Sequence, residues 1–282
     1  MGLIFFSVSI LLLGIALGVV RSRALLRLRD SFTLATAHRH LPELRVLAPV
    51  AILATLALLL LFRSYLFTWY LSAEIDRWRD QLLWVLSGGV FSYLTGIALH
   101  VAFARRDPER IKLVCASLGI VGALSYIQIV GAWPVAPQLG HLHTPDGYVL
   151  QTSGCSCAAA SMANVAHVLG VPATEKQMAQ LDGTTHAGTS AGQILHALRQ
   201  IGLRGNKRTA TVAALRKIPN PCILLVDYPG TGPDSHAIVI LPTTNKTLRI
   251  VDPLYGLETR SPDYLALIWR GHLIECRKTD TP

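Results

Sequence analysis

Apolar residues are distributed unevenly along the chain. Long uncharged runs lie almost entirely before about Trp133, whereas the later sequence alternates short apolar stretches with polar turns. An apolar helix of roughly 20 residues crosses the ~30 Å hydrocarbon core of a bilayer. The pattern therefore predicts four transmembrane helices, with approximate bounds 2–20, 46–62 (continuing toward 71), 82–104 and 111–133. It divides the chain into a membrane domain of residues 1–133, a linker of residues 134–146 and a second domain of residues 147–282.

Basic residues cluster in two of the connections between these runs, 21–45 and 105–112, whereas 72–80 carries balanced charge. Cytoplasmic loops are enriched in Lys and Arg, so both basic connections are predicted to face the cytoplasm. Four spans then place the second domain on the extracytoplasmic side. We interpret the chain as an integral membrane protein of a bacterial inner (cytoplasmic) membrane, with membrane lipid as a partner. The formal net charge of +9 at pH 7 is largely explained by these loops, so nucleic acid is not expected as a partner.

The second domain is predicted to contain helices followed by strands. Helices are expected at 157–169, 174–181, 190–201 and 211–216, and strands at 222–227, 236–241 and 247–251. A turn at 243–246 joins the last two strands into an antiparallel hairpin. This order is typical of an α+β domain. The predicted fold class is therefore an α-helical transmembrane region followed by an α+β domain.

Cys157 stands where a loop gives way to an alanine-rich helix. The thiolate is the reactive form of cysteine, and the unpaired N–H groups and positive dipole end at a helix start favour an anion. His236 opens one strand of the predicted hairpin and Asp252 closes the next, so strand pairing brings an imidazole beside a carboxylate. Pro253 holds Asp252 in an extended conformation. We therefore predict Cys157 as nucleophile, His236 as base and Asp252 as the group that orients the base, in a papain-like arrangement.

Gln151 lies six positions before Cys157. Its side-chain amide, together with a backbone N–H at the helix start, is suited to hold the negative charge of an acyl-transfer intermediate. We predict Gln151 as an oxyanion donor, and we expect no cofactor and no metal. Cys155 is the rival nucleophile, but the helix start and the spacing from Gln151 favour Cys157.

These residues resemble the bacteriocin-processing cysteine peptidases, which remove double-glycine leaders and are often fused to ABC exporters. The resemblance is carried by the pattern Q-x5-C-x-x-A-S-M-A from Gln151, and by TSAGQILHALRQIGL, KIPNPCILLVD, HAIVIL, IVDPLYG and YLALIWRGHLIE, across 145–277. It implies a papain-like cysteine peptidase domain and the same four roles: Cys157 as nucleophile, His236 as base, Asp252 as orienting group and Gln151 as oxyanion donor. It also implies a peptide or protein substrate and a separate transporter or secretion complex as a partner.

Two departures from the family separate this chain from the exporters. The chain has Ser156-Cys157-Ala158 where the family usually has Asp-Cys-Gly, and it contains no Walker A loop. The exporter role is therefore not expected to carry over. The main hypothesis is cleavage of a peptide or leader through a thioester. A non-catalytic leader-peptide-binding module, suggested by Ala158, and acyl transfer by the same triad are the alternatives.

Other cysteines and histidines allow further interpretations. One set has the ligand types of a zinc or copper site: His141, His143, Cys155 and Cys157. Cys222 and Cys276 are interpreted as structural, or as paired with each other if the domain is extracytoplasmic. No partner is predicted for His272, which is interpreted as a surface or structural residue.

Overall fold

The computed structural model describes residues 12–23, single residues and short runs between 89 and 126, and residues 130–279 apart from 216, 229, 231 and 243–246. These residues fall into two compact units, and the boundary lies between Val130 and Gly131. In the first unit, residues 12–23 are helical and contact residues 92–97 closely. A Cβ on Gly18 would collide with the Tyr93 carbonyl oxygen, and one on Gly96 with that of Ile15, so the two glycines permit this backbone contact.

The predicted transmembrane region is not supported. Among the described residues, no helix is both long and apolar enough to cross a lipid bilayer. The predicted span at 46–62, with its continuation toward 71, lies outside the described residues, and the other three lie only partly within them. Within the described residues, this finding contradicts the interpretation as an integral membrane protein.

The second unit contains a short 3₁₀ helix, Ala136–Gln138, five α-helices and eight strands within its described residues, numbered here from the start of this unit. The helices are α1 Cys157–Val168, α2 Glu175–Asp182, α3 Ala191–Gln200, α4 Val212–Leu215 and α5 Pro262–Ile268. The strands are β1 Leu142–His143, β2 Val149–Leu150, β3 Leu203–Thr209, β4 Cys222–Tyr228, β5 Gly232–Ile240, β6 Leu248–Asp252, β7 Gly256–Arg260 and β8 Trp269–Lys278.

The main sheet has six strands in the order β3-β8-β4-β5-β6-β7, and each neighbouring pair is antiparallel. Helices α1, α2 and α3 contribute to a large apolar cluster on one face of the sheet. A smaller cluster, on the other face, includes residues of α4 and α5. The α+β order predicted for this domain is therefore confirmed, as is the pairing of β5 with β6. Strands β3, β7 and β8 were not predicted.

Local sequence signals fix the ends of α2 and α3. The Thr174 hydroxyl accepts a hydrogen bond from the Gln177 backbone N–H and caps α2, and Gly183 ends that helix in a left-handed conformation. Ser190 and Gln193 form a reciprocal capping box at the start of α3. These caps hold the two helices against α1, which carries the cysteine of the candidate site.

Candidate active site

Cys157 is the first residue of α1. Its backbone N–H therefore belongs to the first helical turn, whose N–H groups have no acceptor within the helix. The preceding loop is closed by Ser156, whose buried hydroxyl donates to the Ser153 carbonyl oxygen at 2.9 Å and accepts from the Ser153 N–H at 3.2 Å. The thiol group of Cys157 is thus presented at a helix start that the loop holds in place.

Two polar residues on α1 attach this helix to the rest of the site. The Ser161 hydroxyl, one turn after Cys157, donates to the Ala237 carbonyl oxygen on β5 at 2.9 Å. Asn164 bonds Val149 on β2 twice: its Oδ1 accepts from the Val149 N–H at 2.7 Å, and its Nδ2 donates to the Val149 carbonyl oxygen at 2.9 Å. Both side chains are fully buried. Sequence reasoning missed them, although polar residues four and seven positions after Cys157 lie on one helix face and were a usable signal.

His236 contacts both of the residues predicted to act with it. Its Nε2 lies 2.9 Å from Asp252 Oδ1, and the two side chains are only 6% and 13% exposed. The ring is also close enough to the side chain of Cys157 for that side chain to raise the pKa of His236. Because Nε2 faces Asp252, the other ring nitrogen, Nδ1, is the one left for the sulfur. The structure thus brings the three side chains together, with His236 between Cys157 and Asp252.

The protonation of His236 follows from these contacts. Burial lowers the pKa of His236, but hydrogen bonds to Asp252 and Cys157, together with the charges of both, outweigh it and raise the pKa to about 9. At neutral pH the imidazole is therefore protonated and carries a positive charge next to the Cys157 sulfur.

Asp252 is held by the turn that follows it. Its Oδ1 also accepts from the Leu254 backbone N–H at 2.9 Å, and its carbonyl oxygen accepts from the Tyr255 N–H at 3.0 Å. The Pro253 carbonyl oxygen accepts from the Gln151 N–H at 2.9 Å. The turn that positions the carboxylate is thereby joined to the segment before α1.

The Gln151 side chain lies in this same segment. Its Nε2 donates to the Ser153 carbonyl oxygen at 2.9 Å, which leaves one N–H of the amide for another acceptor. Its Oε1 is buried and has no hydrogen-bond partner in the part of the chain that the structure describes. The next residue, Thr152, is fixed by the buried carboxylate of Glu175, which accepts from its N–H and its hydroxyl at 2.8 Å each. Glu175 is a third supporting residue that sequence reasoning missed, after Ser161 and Asn164.

The alternative uses of the cysteines gain no support. The cysteine that interacts with His236 is Cys157, whereas the Cys155 sulfur lies 3.3 Å from the Ser153 hydroxyl oxygen. Nowhere in the described residues do three or more His, Cys, Asp or Glu side chains form a group that could hold a metal ion. The soft-metal site considered from the sequence is therefore not assembled there.

The pairing of Cys222 with Cys276 is also not observed, because both thiols are free. Cys222 lies opposite Glu275 in the β4–β8 register, so Cys276 points to the other face of the sheet. His272 does have a partner, contrary to the sequence interpretation: its Nδ1 lies 3.0 Å from Asp234 Oδ2, and both side chains are buried. Asp234 was not singled out in the sequence.

Two proteins of known sequence are similar to part of this chain. An uncharacterized protein of Methanothermobacter thermautotrophicus is 30% identical over 126 residues, which are 45% of this chain and 84% of the relative. A relative from Methanothermobacter marburgensis is 29% identical over 126 residues, again 45% of this chain and 84% of the relative.

Solved structures similar to this chain include two peptidase domains. One is a double glycine motif protease from an AMS/PCAT transporter in complex with the leader peptide, at 23% identity and a TM-score of 0.43, covering 50% of this chain and 95% of that one. The other is the peptidase domain of Streptococcus ComA, at 23% identity and a TM-score of 0.42, covering 46% of this chain and 96% of that one. The model of the peptidase C39 family matches residues 146–281. Through these residues the chain belongs to the peptidase C39 family and is a cysteine peptidase.

Proposed function

We propose that the second unit hydrolyses a peptide bond through a thioester on Cys157, with His236 as acid and base and Asp252 as the residue that orients His236. The observation that carries this proposal is the position of the His236 ring, which lies 2.9 Å from Asp252 and close enough to Cys157 to interact with it. A cysteine with a protonated imidazole beside it supplies both a nucleophile and a proton for the leaving group.

In the first step, the Cys157 thiolate attacks the carbonyl carbon and forms a C–S bond, while the carbonyl oxygen becomes an oxyanion. The oxyanion then collapses and the C–N bond breaks, and the leaving amine takes the proton from His236. In the second step, His236 takes a proton from water, and the hydroxide formed attacks the thioester. The acyl product leaves as a carboxylic acid and Cys157 is released. Asp252 holds the orientation of the His236 ring in both steps and stabilises its positive charge whenever the ring is protonated.

The oxyanion is assigned to the Gln151 amide and the backbone N–H at the start of α1. The amide orientation is supported by the contact between Gln151 Nε2 and the Ser153 carbonyl oxygen at 2.9 Å, because the reversed amide would place two acceptors against each other. The remaining N–H of Gln151 is then available to the oxyanion. Donors of this kind act mainly on the transition state.

The substrate is proposed to be a peptide or a leader sequence, with small residues at the cleavage site. The resemblance to bacteriocin-processing peptidases supports this choice, and so does the similar protease that binds a leader peptide. A transporter or secretion complex is proposed as a partner on the same basis.

The nucleophile is tested by alkylation and by processing together. Iodoacetamide is expected to label Cys157 fastest among the cysteines of the folded protein, and Cys157→Ala is expected to abolish cleavage of a synthetic peptide containing a Gly-Gly site. Cys155→Ala is the matched control, since it removes a thiol two residues away, and it is expected to keep most of the activity. Full cleavage by Cys157→Ala would refute the assignment.

Hydrolysis and acyl transfer are separated in the same assay. Adding an amine such as glycinamide intercepts the thioester if the site favours transfer, and mass spectrometry then detects the amide product. We expect the free carboxylate to predominate. The His236→Ala variant is expected to bind the peptide but to form no thioester. This result would distinguish catalysis from simple peptide capture.

A further inference from the structure

An apolar surface lies beside the candidate active site and has no role in the steps above. Tyr228, at the end of β4, places its ring 5.3 Å from the His236 ring, measured between centroids. Its hydroxyl is hydrogen-bonded to that of Tyr255. Tyr255 is 63% exposed and its neighbour Leu254 is 37% exposed, although both are large hydrophobic residues. We call Tyr228, Leu254 and Tyr255 the aromatic surface.

The backbone holds this surface in a fixed position relative to the reacting groups. Leu254 and Tyr255 belong to the turn whose N–H groups bond the Asp252 side chain and carbonyl oxygen, at 2.9 and 3.0 Å. The same Asp252 Oδ1 contacts His236 at 2.9 Å. The backbone of Leu254 and Tyr255 is therefore bonded to the residue that orients His236.

The chemistry of the proposed reaction indicates which part of a substrate meets the aromatic surface. The acyl part becomes attached to Cys157, and its oxygen lies at the start of α1. The leaving amine must come within hydrogen-bond reach of His236, because that ring donates the proton to it. The residue that follows the scissile bond is therefore next to His236, on the side where Tyr228 packs against the ring.

We propose that Tyr228, Leu254 and Tyr255 form the subsite for the residue immediately after the scissile bond, and that this subsite selects an apolar or aromatic side chain. The inference rests on the proposed function and extends it to substrate selection. An aromatic side chain placed there is desolvated against two tyrosine rings and one leucine. A glycine at that position gains none of this contact.

The test uses two synthetic peptides that share the same acyl part, ending in Gly-Gly, and differ only in the next residue, Phe or Gly. We expect the native protein to cleave the Phe peptide with a kcat/KM about three- to tenfold higher. Tyr255→Ala is expected to remove this preference by lowering kcat/KM for the Phe peptide alone. Tyr255→Phe, which keeps the ring, is expected to retain it. The rate at which the common acyl-enzyme is hydrolysed is expected to stay the same in all three proteins.

Tyr264→Ala is the matched control, because Tyr264 is also a partly exposed tyrosine but stacks on Arg260 at 4.8 Å, on α5. It is expected to leave the preference intact. Formation of the acyl-enzyme without any preference for Phe, or an equal loss for both peptides in Tyr255→Ala, overturns the inference alone. Absence of any acyl group on Cys157 with either peptide overturns the proposed function, and the inference with it.

Discussion

The Ser161 hydroxyl donates a 2.9 Å hydrogen bond to the Ala237 carbonyl oxygen. This contact joins the helix that begins at Cys157 to the strand that carries His236, one helical turn from the first residue and one position from the second. Ser161 itself is fully buried. The distance between the sulfur and the imidazole is therefore controlled by a side chain that has no part in the chemistry.

Ser161→Ala is expected to lower both stability and reactivity. Loss of the buried bond is expected to lower the free energy of unfolding by ~1–3 kcal/mol, and alkylation of Cys157 by iodoacetamide is expected to slow because His236 is less well placed. Ser261→Ala is the control: Ser261 caps α5 by accepting from the Tyr264 N–H at 3.2 Å, and its loss is expected to cost ~1 kcal/mol without changing alkylation. Equal slowing in both variants would argue against a positioning role. Urea unfolding and peptide mapping measure the two effects.

Gln151→Ala is expected to separate oxyanion stabilisation from nucleophile activation. Removing one oxyanion donor typically lowers kcat by ~10²–10³-fold, whereas alkylation of Cys157 forms no oxyanion and is expected to keep its rate. Kinetics on a Gly-Gly peptide and timed labelling with iodoacetamide provide the two measurements. A parallel loss in both would indicate that Gln151 acts on the loop around Ser153 and not on the oxyanion.

The pKa of His236, raised to about 9, predicts the basic limit of activity. Because the leaving amine takes its proton from this ring, kcat/KM is expected to fall as the pH rises through about 9. Asp252→Asn removes the negative charge that raises the pKa, so its basic limb is expected to move to lower pH. A pH–rate profile of both proteins measures the shift. An unchanged basic limb in the variant would exclude His236 as the group whose deprotonation lowers kcat/KM at high pH.

The same shift predicts a dependence of stability on pH. The pKa of His236 is higher in the folded protein than its ordinary value of 6.5, so the ring adds stability that is fully present below pH 6.5 and is lost as the pH rises toward about 9. Its full size is ~3 kcal/mol at most. Asp252→Asn is expected to flatten this decline, and urea unfolding at several pH values between 6 and 10 checks it.

Asp182 is the last residue of α2, and its buried carboxyl is expected to make the free energy of unfolding depend on pH in the acidic range. Burial raises the pKa of its carboxyl to about 6, against hydrogen bonds from Thr184 and Thr189 that lower it. Protonation of Asp182 therefore favours the folded state, and this contribution is lost as the pH rises from about 4 to 6. Asp182→Asn keeps an oxygen for the Thr184 N–H, which lies 2.6 Å from Asp182 Oδ1.

The difference in unfolding free energy between the native protein and Asp182→Asn is therefore expected to change by ~2 kcal/mol between about pH 4 and pH 6.5, in favour of the variant at the higher pH. Thermal or urea unfolding at these two pH values measures the difference. A constant difference would show that burial does not raise the pKa of the carboxyl.

Cys157 and Asp252 could be predicted from the sequence because each stands at the end of a regular element, whereas His236, predicted to open a strand, lies in the middle of β5. Cys157 begins a helix and Asp252 ends a strand, and hairpin pairing then determines which residues meet. Ser161, Asn164 and Glu175 were missed because their roles depend on acceptors and donors in distant segments. A buried polar residue within an alanine-rich helix is the general signal for such a role.

Other predictions failed because they relied on composition alone. The apolar runs before Trp133 predicted membrane spans, whereas no helix of the described residues is both long and apolar enough for one. Strands β3 and β8 were missed because both carry several charged residues, such as Arg204 and Arg277, which lie opposite each other in the register. Strand pairing overrides such local composition.

Cys222 and Cys276 lie on opposite faces of the sheet, so the reactivity of their thiols reports whether the sheet is folded. Both are at most 1% exposed, and burial raises the pKa of each thiol, that of Cys222 to about 12. Neither is then available to alkylating reagents until the sheet opens. One alkylation experiment can therefore measure two quantities. Labelling of Cys157 reports the fraction of molecules with a reactive thiol, and labelling of Cys222 and Cys276 reports the fraction in which the sheet has unfolded.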